Sequence, residues 1–359
     1  MSGNIFTGNL INTPASITSS SSRRHDPVSG HVQLLDVRTD SFALARAFVI
    51  SRGAKSTAKT LTVTLGCDGF TGRGEAVPYA RYGETLDGAV RSVREIAPQL
   101  TDRQGLQCLL PAGAVRNALD CAFWDLEAKR AGQRAHQLAG LTHLDAVETF
   151  YTLSLDAPDA MARHALSVPR LSCLKLKLGG GALDADRMSQ VRAARPDARL
   201  VADANEAWSE ASLNDLLAAA ATSRFELIEQ PLPANHDGAL CGMAEACPSV
   251  VICGDESVHA RDGLADLTDR YRAINIKLDK AGGLTEALET CHVAHSLGLK
   301  IMVGSMVCSS LGIAPAMILA QTADWVDLDS PLLLAEDRSH ALAVTEDGIV
   351  PPPVAALWG

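Results

Sequence analysis

The residues best suited to chemistry recur along the second half of the chain at intervals of about one strand and one helix. Each ends a short apolar run, and successive members are 26, 26, 26, 22, 28 and 22 residues apart: Lys177, Asp203, Glu229, Asp255, Lys277, Ser305 and Asp327. Equivalent positions of successive strand–helix units lie at the same end of a parallel barrel, where barrel enzymes build their active sites. We therefore expect these side chains to meet at the C-terminal mouth of one barrel.

Three of these residues, Asp203, Glu229 and Asp255, are carboxylates on successive strands. Adjacent strands are about 4.8 Å apart, so three bare carboxylates would repel one another and raise their own pKa values. A divalent cation relieves this repulsion, and a set of oxygen ligands favours Mg²⁺. A single Asp at a strand end is more often a helix cap, but three at constant spacing predict a site for one Mg²⁺ per subunit.

Three lysines flank this predicted metal site. Lys175 and Lys177 are two residues apart, so both point into the barrel, where we expect each to depress the pKa of the other. Lys277 ends the sixth strand, opposite Lys177 on the second. Two bases on opposite faces of an α-carbon, beside a cation that stabilises the enediolate, predict racemisation or epimerisation. The alternative is that the lysines only form structural ion pairs, although desolvation makes such pairs a poor source of stability.

The elements that would position these residues occupy 148–334. Eight β-rich runs alternate there with amphipathic helical segments, at 148–155, 173–178, 199–204, 225–230, 250–254, 273–278, 300–305 and 325–328. Eight such units in one domain predict a parallel (β/α)8 barrel. An open doubly wound sheet is the alternative, but it usually has five or six strands.

Residues 31–147 have a different pattern, with strands first and helices after them. Ala58–Leu65 alternates Thr with apolar residues, and Asp68-Gly69 follows as a hairpin-turn signal. Helical periodicity covers 85–100 and 113–129. This order predicts an α+β module in front of the barrel.

Composition excludes several classes of protein. The chain of 359 residues carries a formal net charge of −10, which argues against nucleic-acid binding, and no apolar run is long enough to span a bilayer. Residues 1–30 lack the apolar core of a secretory signal, and their composition predicts a disordered extension. The nine cysteines include no CxxC pair, which indicates reduced thiols of a cytoplasmic protein, not disulfides or a zinc site.

The motifs together resemble the enolase superfamily, and within it the muconate-cycloisomerase subgroup. They are KLK (175–177), DANEAW (203–208), EQPL (229–232), DES (255–257), INIKLDKAGG (274–283) and the capping-helix sequence RNALDCAFWDLEAKRAG (116–132). The resemblance implies a modified, TIM-type (β/α)8 barrel under an α+β capping domain that a segment at about 335–359 completes. It also assigns the acid/base roles to Lys177 and Lys277.

Within the subgroup the chain is most similar to dipeptide epimerases of the L-Ala-D/L-Glu type, on VGSMVCS (303–309) and DLD (327–329). This resemblance implies Mg²⁺-dependent epimerisation of a dipeptide in peptidoglycan peptide recycling, by a homo-oligomer. Asp327 and Asp329 face the same way and could clamp the dipeptide ammonium, although both could instead be helix caps.

The same resemblance implies the other substrate contacts. Thr152, Ser305 and Val307 would line the dipeptide site, and Lys175 would assist the substrate carboxylate. The segment 48–53 resembles a mobile loop over the mouth. Its Arg52, or Arg81 as second candidate, would pair with the Glu side chain, although both could be ordinary surface arginines. From the sequence itself, Glu256 directly follows Asp255 and so should point to the other side, where it would form a hydrogen bond around the metal ligands. Asn205 is expected in a similar supporting position.

Two other functions stay open at this point. A muconate cycloisomerase or an o-succinylbenzoate synthase would use the same lysines and carboxylates, but neither substrate carries an ammonium for Asp327 and Asp329. A non-catalytic barrel that binds a small ligand would not need the lysine pair. Gly179–Gly181 could cradle a phosphate, but it completes no known phosphate motif, so a tight turn is the favoured interpretation.

Overall fold

The structure is a computed structural model that describes residues 30–243 and 248–359, so the predicted extension at 1–30 lies outside the described residues except for Gly30. An antiparallel sheet in the order β1-β2-β3 comes first, formed by β1 (Gln33–Ile50), β2 (Gly53–Cys67) and β3 (Phe70–Ala76). The predicted hairpin turn joins β2 to β3. Its Asp68 and Gly69 both adopt positive φ angles, as a tight two-residue hairpin requires.

Helices follow this sheet along the chain, and the first and third of them pack on it. They are α1 (Leu86–Ile96), α2 (Arg103–Leu109), α3 (Ala114–Ala131) and α4 (Ala135–Leu138), and a two-residue strand, β4 (Val147–Glu148), follows. The long helix α3 lies directly on β3, because a Cβ at Gly72 or Gly74 would collide with backbone carbonyls of that helix. Glycine is therefore needed at both positions for the close packing of helix on strand.

Eight parallel strands form the second sheet, and each is hydrogen-bonded to the next along the chain. They are β5 (Tyr151–Leu153), β6 (Cys173–Lys177), β7 (Arg199–Asp203), β8 (Leu227–Glu229), β9 (Val251–Gly254), β10 (Ala273–Lys277), β11 (Lys300–Gly304) and β12 (Trp325–Asp327). The N–H of Phe150 donates to the carbonyl of Val326 at 2.8 Å and joins the two edge strands. The predicted barrel with an α+β cap is confirmed.

The helices between and after these strands are α5 (Pro158–Ser167), α6 (Leu183–Ala194), α7 (Glu210–Thr222), α8 (Leu278–Ala281), α9 (Leu284–Ser296), α10 (Ser310–Ile313), α11 (Ala316–Ala320) and α12 (Ser330–Leu333). A last short strand, β13 (Ile349–Val350), pairs with β4. The predicted strand at 148–155 is therefore divided between two sheets. Among the described residues, no helix is long and apolar enough to cross a membrane.

The barrel interior is layered because side chains alternate along each strand. Its lower layer is apolar and includes Phe150, Cys173, Val201, Leu227, Cys253, Ala273, Met302 and Trp325. Two residues further along the same strands the inward side chains become ionic or polar, as Lys175, Asp203, Glu229 and Asn275 show. The charged layer at the C-terminal mouth therefore lies directly above the apolar layer of the barrel interior.

The end of the chain packs on the capping domain. The indole of Trp358 donates to the carbonyl of Cys121 at 3.0 Å, and the N–H of Gly359 donates to Asp125 at 2.7 Å. These contacts tie the last residues to α3, as the resemblance implied. The division into domains at 31–147, 148–334 and about 335–359 stays a prediction.

Candidate active site

The three predicted metal ligands converge at the mouth of the barrel. Asp203 and Glu229 are directly paired in the register of β7 and β8, and Asp255 follows β9. All three are buried, and one carboxylate oxygen from each lies within 4.8 Å of the other two. Three oxygen donors at this separation can hold one hard cation between them.

A tight turn after β7 holds Asp203. Asn205 and Glu206 both adopt left-handed backbone conformations, with φ of 45° and 66°, which bend the chain back toward the strand. The Asn205 backbone N–H donates to Asp203 Oδ1 at 2.8 Å, and its side-chain amide donates to Asp203 Oδ2 at 2.9 Å. The predicted role of Asn205 beside a metal ligand therefore has a direct geometric basis.

The electrostatics of the carboxylates differ from the sequence expectation. For Glu229, burial and the charge of Asp203 raise the pKa, as expected. For Asp255, burial acts in the same direction, but Lys277 and Lys280 outweigh it and hold the pKa well below its usual value. The pKa of Asp203 is also lowered, because Lys177 and Lys175 outweigh burial. The expected general rise of carboxylate pKa values is thus wrong for both aspartates.

The two predicted catalytic lysines lie at the ends of β6 and β10, four strands apart in the eight-stranded sheet. Lys177 Nζ is 2.6 Å from Asp203 Oδ2, and Lys277 Nζ is 2.7 Å from Asp255 Oδ2. Both side chains line one cavity of about 520 Å³. The arrangement therefore brings two amines to one chamber from opposite sides of the barrel, with the carboxylates between them.

The expected mutual depression of lysine pKa values is wrong for Lys175. Burial disfavours its charged form, but Asp327, Glu229 and Asp203 outweigh burial and raise the pKa well above its usual value. Lys175 Nζ lies 2.5 Å from Glu229 and 2.6 Å from Asp327, so its nearest neighbours are carboxylates. The ion pairs expected if the lysines only stabilised the fold are therefore present, but Lys177 and Lys277 also line the cavity.

Sequence reasoning missed several residues that hold the ligands. Lys280 Nζ lies 2.5 Å from Asp255 Oδ1, and the Asn275 amide donates to Glu229 Oε1 at 2.7 Å. Gln230 accepts from the backbone N–H of Asp255 at 2.8 Å. Asn275 could have been found, because it is two residues before Lys277 and so shares its inward face.

The predicted ammonium clamp lies beside Lys175. Asp327 Oδ2 contacts the Lys175 ammonium, and Asp329 Oδ2 accepts from the Thr152 backbone N–H at 2.7 Å. Burial and the charge of Asp327 raise the pKa of Asp329 to about 7. Among the described residues, Ser305 and Val307 line the cavity, whereas Thr152, Asp327 and Asp329 are buried and do not line it.

Both candidate arginines lie at the cavity wall, but each is already paired. Arg52, at the tip of the hairpin between β1 and β2, contacts Glu256 at 2.6 Å and Glu206 at 3.2 Å. Arg81 forms a close ion pair with the same Glu206. These contacts connect the hairpin to the loops that follow β7 and β9. Glu256 lines the same cavity as Asp255 instead of pointing away from it, and its role around the metal ligands stays a prediction.

The donor set fits a hard cation. Four buried side-chain oxygens around the cluster have no hydrogen-bond partner within the described part of the chain: Asn205 Oδ1, Glu256 Oε2, Asn275 Oδ1 and Asp327 Oδ1. All are acceptors, so the site has an excess of oxygen lone pairs over donors. Oxygen ligands of this kind are the ones that Mg²⁺ takes in proteins.

The glycine run after β6 already uses its N–H groups within the protein. Asp184 accepts from Gly179 N–H at 3.1 Å and from Gly180 N–H at 2.8 Å. The same carboxylate accepts from the Trp208 indole and pairs with Arg187 at 2.7 Å. A side chain of the protein thus occupies the anion position, as expected for a turn.

Two family models match this chain. The mandelate racemase / muconate lactonizing enzyme N-terminal domain matches residues 34–140, and the enolase C-terminal domain-like family matches residues 160–355. The chain belongs to the enolase superfamily.

Relatives of this superfamily member are epimerases and racemases. The L-Ala-D/L-Glu epimerase of Escherichia coli (strain K12) is 41% identical over 319 residues, 88% of this chain and 98% of the relative. The N-acetyl-D-glutamate racemase of a Pseudoalteromonas species is 39% identical over 304 residues, 83% of this chain and 95% of the relative. The prediction of an isomerase is therefore confirmed.

Solved structures of the superfamily share the whole architecture. An enolase family member from Agrobacterium tumefaciens with homology to dipeptide epimerases, with bound sodium, L-Ala-L-Glu and an ordered loop, is 46% identical. Its TM-score is 0.87, over 91% of this chain and all of that one. The dipeptide epimerase of Enterococcus faecalis V583, complexed with Mg and L-Leu-L-Tyr, is 26% identical with a TM-score of 0.84, over 91% and 99% of the two chains.

Proposed function

We propose that this chain is a Mg²⁺-dependent dipeptide epimerase of the L-Ala-D/L-Glu type, which inverts the α-carbon of the second residue by two-base proton transfer. The observation that carries the proposal is the placement of Lys177 and Lys277 on opposite sides of one cavity, next to the three-carboxylate cluster. Relatives with this activity, and structures solved with dipeptides, support it.

Asp203, Glu229 and Asp255 would hold the Mg²⁺. Support comes from their all-oxygen donor set, the unpartnered acceptors around them and the Mg in the Enterococcus faecalis relative. When bound, Mg²⁺ supplies positive charge that favours the negative charge developing on the substrate carboxylate.

The lysines move the proton. Lys177 and Lys277 face the chamber from opposite sides, so one can take the α-proton from one face while the other returns a proton to the opposite face. Lys175, buried between Glu229 and Asp327, adds a fixed positive charge for the substrate carboxylate. Inversion follows because proton removal and proton return occur on different faces.

The remaining contacts would select a dipeptide. Asp327 and Asp329 would clamp its ammonium, Thr152 and Ser305 would line its backbone, and Val307 would pack on it. Asn205 and Glu256 would hold the metal ligands and the hairpin in place. Arg52, or Arg81 as second candidate, would pair with an acidic side chain on the reacting residue, and each would share its guanidinium with the glutamate that already holds it.

A place in cytoplasmic recycling of peptidoglycan peptides is part of the proposal. The L-Ala-D/L-Glu activity of the Escherichia coli relative supports it, because a cell that recovers such dipeptides must interconvert their epimers before general use. Assembly as a homo-oligomer stays a prediction.

The test is incubation of L-Ala-L-Glu and L-Ala-D-Glu with the protein and Mg²⁺ in D₂O. We expect deuterium at the Glu α-carbon and interconversion of the two epimers, both lost in Asp203→Asn. The same panel includes N-acetyl-D-glutamate and muconate, neither of which carries an ammonium. Turnover of either of these with none of any dipeptide would replace the proposal by a racemase or a cycloisomerase.

A further inference from the structure

We propose that Glu75 of the capping domain is a positioning residue, which holds the segment after β11 where that segment lines the dipeptide site. We refer to residues 305–309, between β11 and α10, as the β11 loop. The inference rests on the proposed epimerase function, because it names a residue that places the substrate contacts of that function.

One side of the β11 loop faces the substrate. Ser305, Met306 and Val307 line the cavity that Lys177 and Lys277 also line. The loop belongs to neither a helix nor a strand, so a regular ladder of backbone hydrogen bonds does not fix its position. Its backbone groups therefore need partners from elsewhere in the protein.

The carboxylate of Glu75 supplies such partners from behind the loop. Glu75 lies on β3, and its side chain is fully buried. The Ser309 backbone N–H donates to Glu75 Oε1 at 2.8 Å, and the Ser309 hydroxyl donates to Glu75 Oε2 at 2.6 Å. A small cavity of about 10 Å³ is lined by Glu75, Ser305 and Cys308, so Ser305 borders this cavity as well as the larger one.

Arg338, from the segment that follows the barrel, completes the anchor. Its Nε donates to Glu75 Oε2 at 2.9 Å and to the Ser309 hydroxyl at 2.7 Å. Its Nη2 forms a close ion pair with Glu75 and donates to Asp40 at 2.7 Å. Glu75, Arg338 and Ser309 therefore each contact the other two, and they join the capping domain to the β11 loop.

The charge of this anchor is better explained by placement than by stability. Burial raises the pKa of Glu75, although Arg338 and Ser309 act against the rise. A buried ion pair is a poor source of stability, because desolvation offsets its attraction. A buried network in which both carboxylate oxygens accept hydrogen bonds instead fixes the geometry of the groups it contains.

The experiment measures kcat and KM for L-Ala-L-Glu by α-deuteration in D₂O with Mg²⁺, in wild type and Glu75→Gln. The new amide NH₂ must face either the Ser309 N–H or the Arg338 guanidinium, and both are donors, so the anchor is broken. We expect KM to rise about 10-fold to 100-fold, because the β11 loop and its substrate contacts are displaced. The kcat should stay within about 3-fold of wild type, since both lysines are untouched.

Asp40→Asn is the matched control. Asp40 accepts from the same Arg338, but its other donors are Arg38 and Thr62 of the capping sheet. This variant therefore perturbs the arginine while Glu75 still holds Ser309, and its KM should equal that of wild type. Urea unfolding measures the stability of each variant. Loss of folded protein removes active sites without changing the KM of those that remain, so KM separates placement from stability.

The possible results separate this inference from the proposed function. A wild type that deuterates no dipeptide refutes the epimerase function itself. An active wild type whose KM is unchanged by Glu75→Gln overturns the role of Glu75, and so does an equal rise of KM in Asp40→Asn. If Glu75→Gln does not fold, Ser309→Ala decides, because it removes only the hydroxyl between Glu75 and Arg338. A raised KM in that variant supports the inference, and a wild-type KM overturns it.

Discussion

Removal of one catalytic lysine at a time gives the sharpest test of the two-base arrangement. Lys177→Met and Lys277→Met each keep most of the side-chain volume but remove one amine. The structure indicates that the metal ligands stay supported. Asp203 retains two hydrogen bonds from Asn205, at 2.8 and 2.9 Å, and Asp255 retains Lys280 at 2.5 Å. A loss of activity can then be attributed to the missing base.

We expect epimerisation to fall about 10²-fold to 10⁴-fold in either variant, the range for loss of a positioned general base. Exchange of the α-proton with D₂O should persist for one epimer only, because the remaining lysine reaches only one face of the α-carbon. The two variants should retain exchange on opposite epimers of Ala-Glu.

The assay is proton NMR of each pure epimer in D₂O with Mg²⁺. Lys59→Met, which changes an exposed lysine on β2, is the control. Urea unfolding checks that each variant is folded. Retained exchange on the same epimer in both variants would contradict the opposed placement of the two lysines. So would wild-type epimerisation in either of them.

Three further outcomes follow from the contacts described above. Asp184→Asn should lower the free energy of unfolding, measured in urea, by about 3–5 kcal/mol, because it breaks a buried ion pair with Arg187. A loss below about 1 kcal/mol would contradict the assigned role of Asp184 in the glycine turn. Mg²⁺ at a hundred times its Kd should raise the free energy of unfolding by about 2.7 kcal/mol in wild type but not in Asp203→Asn, measured by urea unfolding with and without chelator; an equal gain in both would place the ion elsewhere. Burial raises the pKa of Asp279 to about 7, so its native state holds a proton that the unfolded chain releases at lower pH. The contribution of this group to the free energy of unfolding is therefore lost as the pH rises from about 4 through 7. Between about pH 5 and pH 8, the free energy of unfolding of Asp279→Asn should fall less than that of wild type. A pH profile that the substitution leaves unchanged would exclude this assignment.

The charged strand ends were predictable because their spacing equals the length of one strand–helix unit. Asp203, Glu229, Asp255 and both mouth lysines therefore lie where the sequence places them. Their pKa directions were not predictable in the same way. They depend on which opposite charge is nearest, and the ion-pair distances of 2.5 to 2.7 Å are set by side-chain packing across strands that sequence spacing does not specify.

Contacts between distant segments were also beyond prediction from local sequence. Arg52 meets Glu206 and Glu256 across more than 150 residues of sequence, and nothing local marks either glutamate as its partner. The same holds for Asp184, whose carboxylate fills the glycine turn. Gly179–Gly181 alone is compatible with a phosphate or with a side chain, and only the tertiary fold decides between them.

The contact between Asp329 and the Thr152 N–H spans the seam between the first and last barrel strands, where Phe150 supplies a neighbouring backbone hydrogen bond. Asp329, one carboxylate of the proposed clamp, therefore also helps to close the barrel. Loss of Asp327 would take one carboxylate partner from the buried Lys175 ammonium, and loss of Asp329 would remove the hydrogen bond to Thr152 at the seam of the barrel. A change to a substrate without an amino group would therefore carry a cost in stability at both positions.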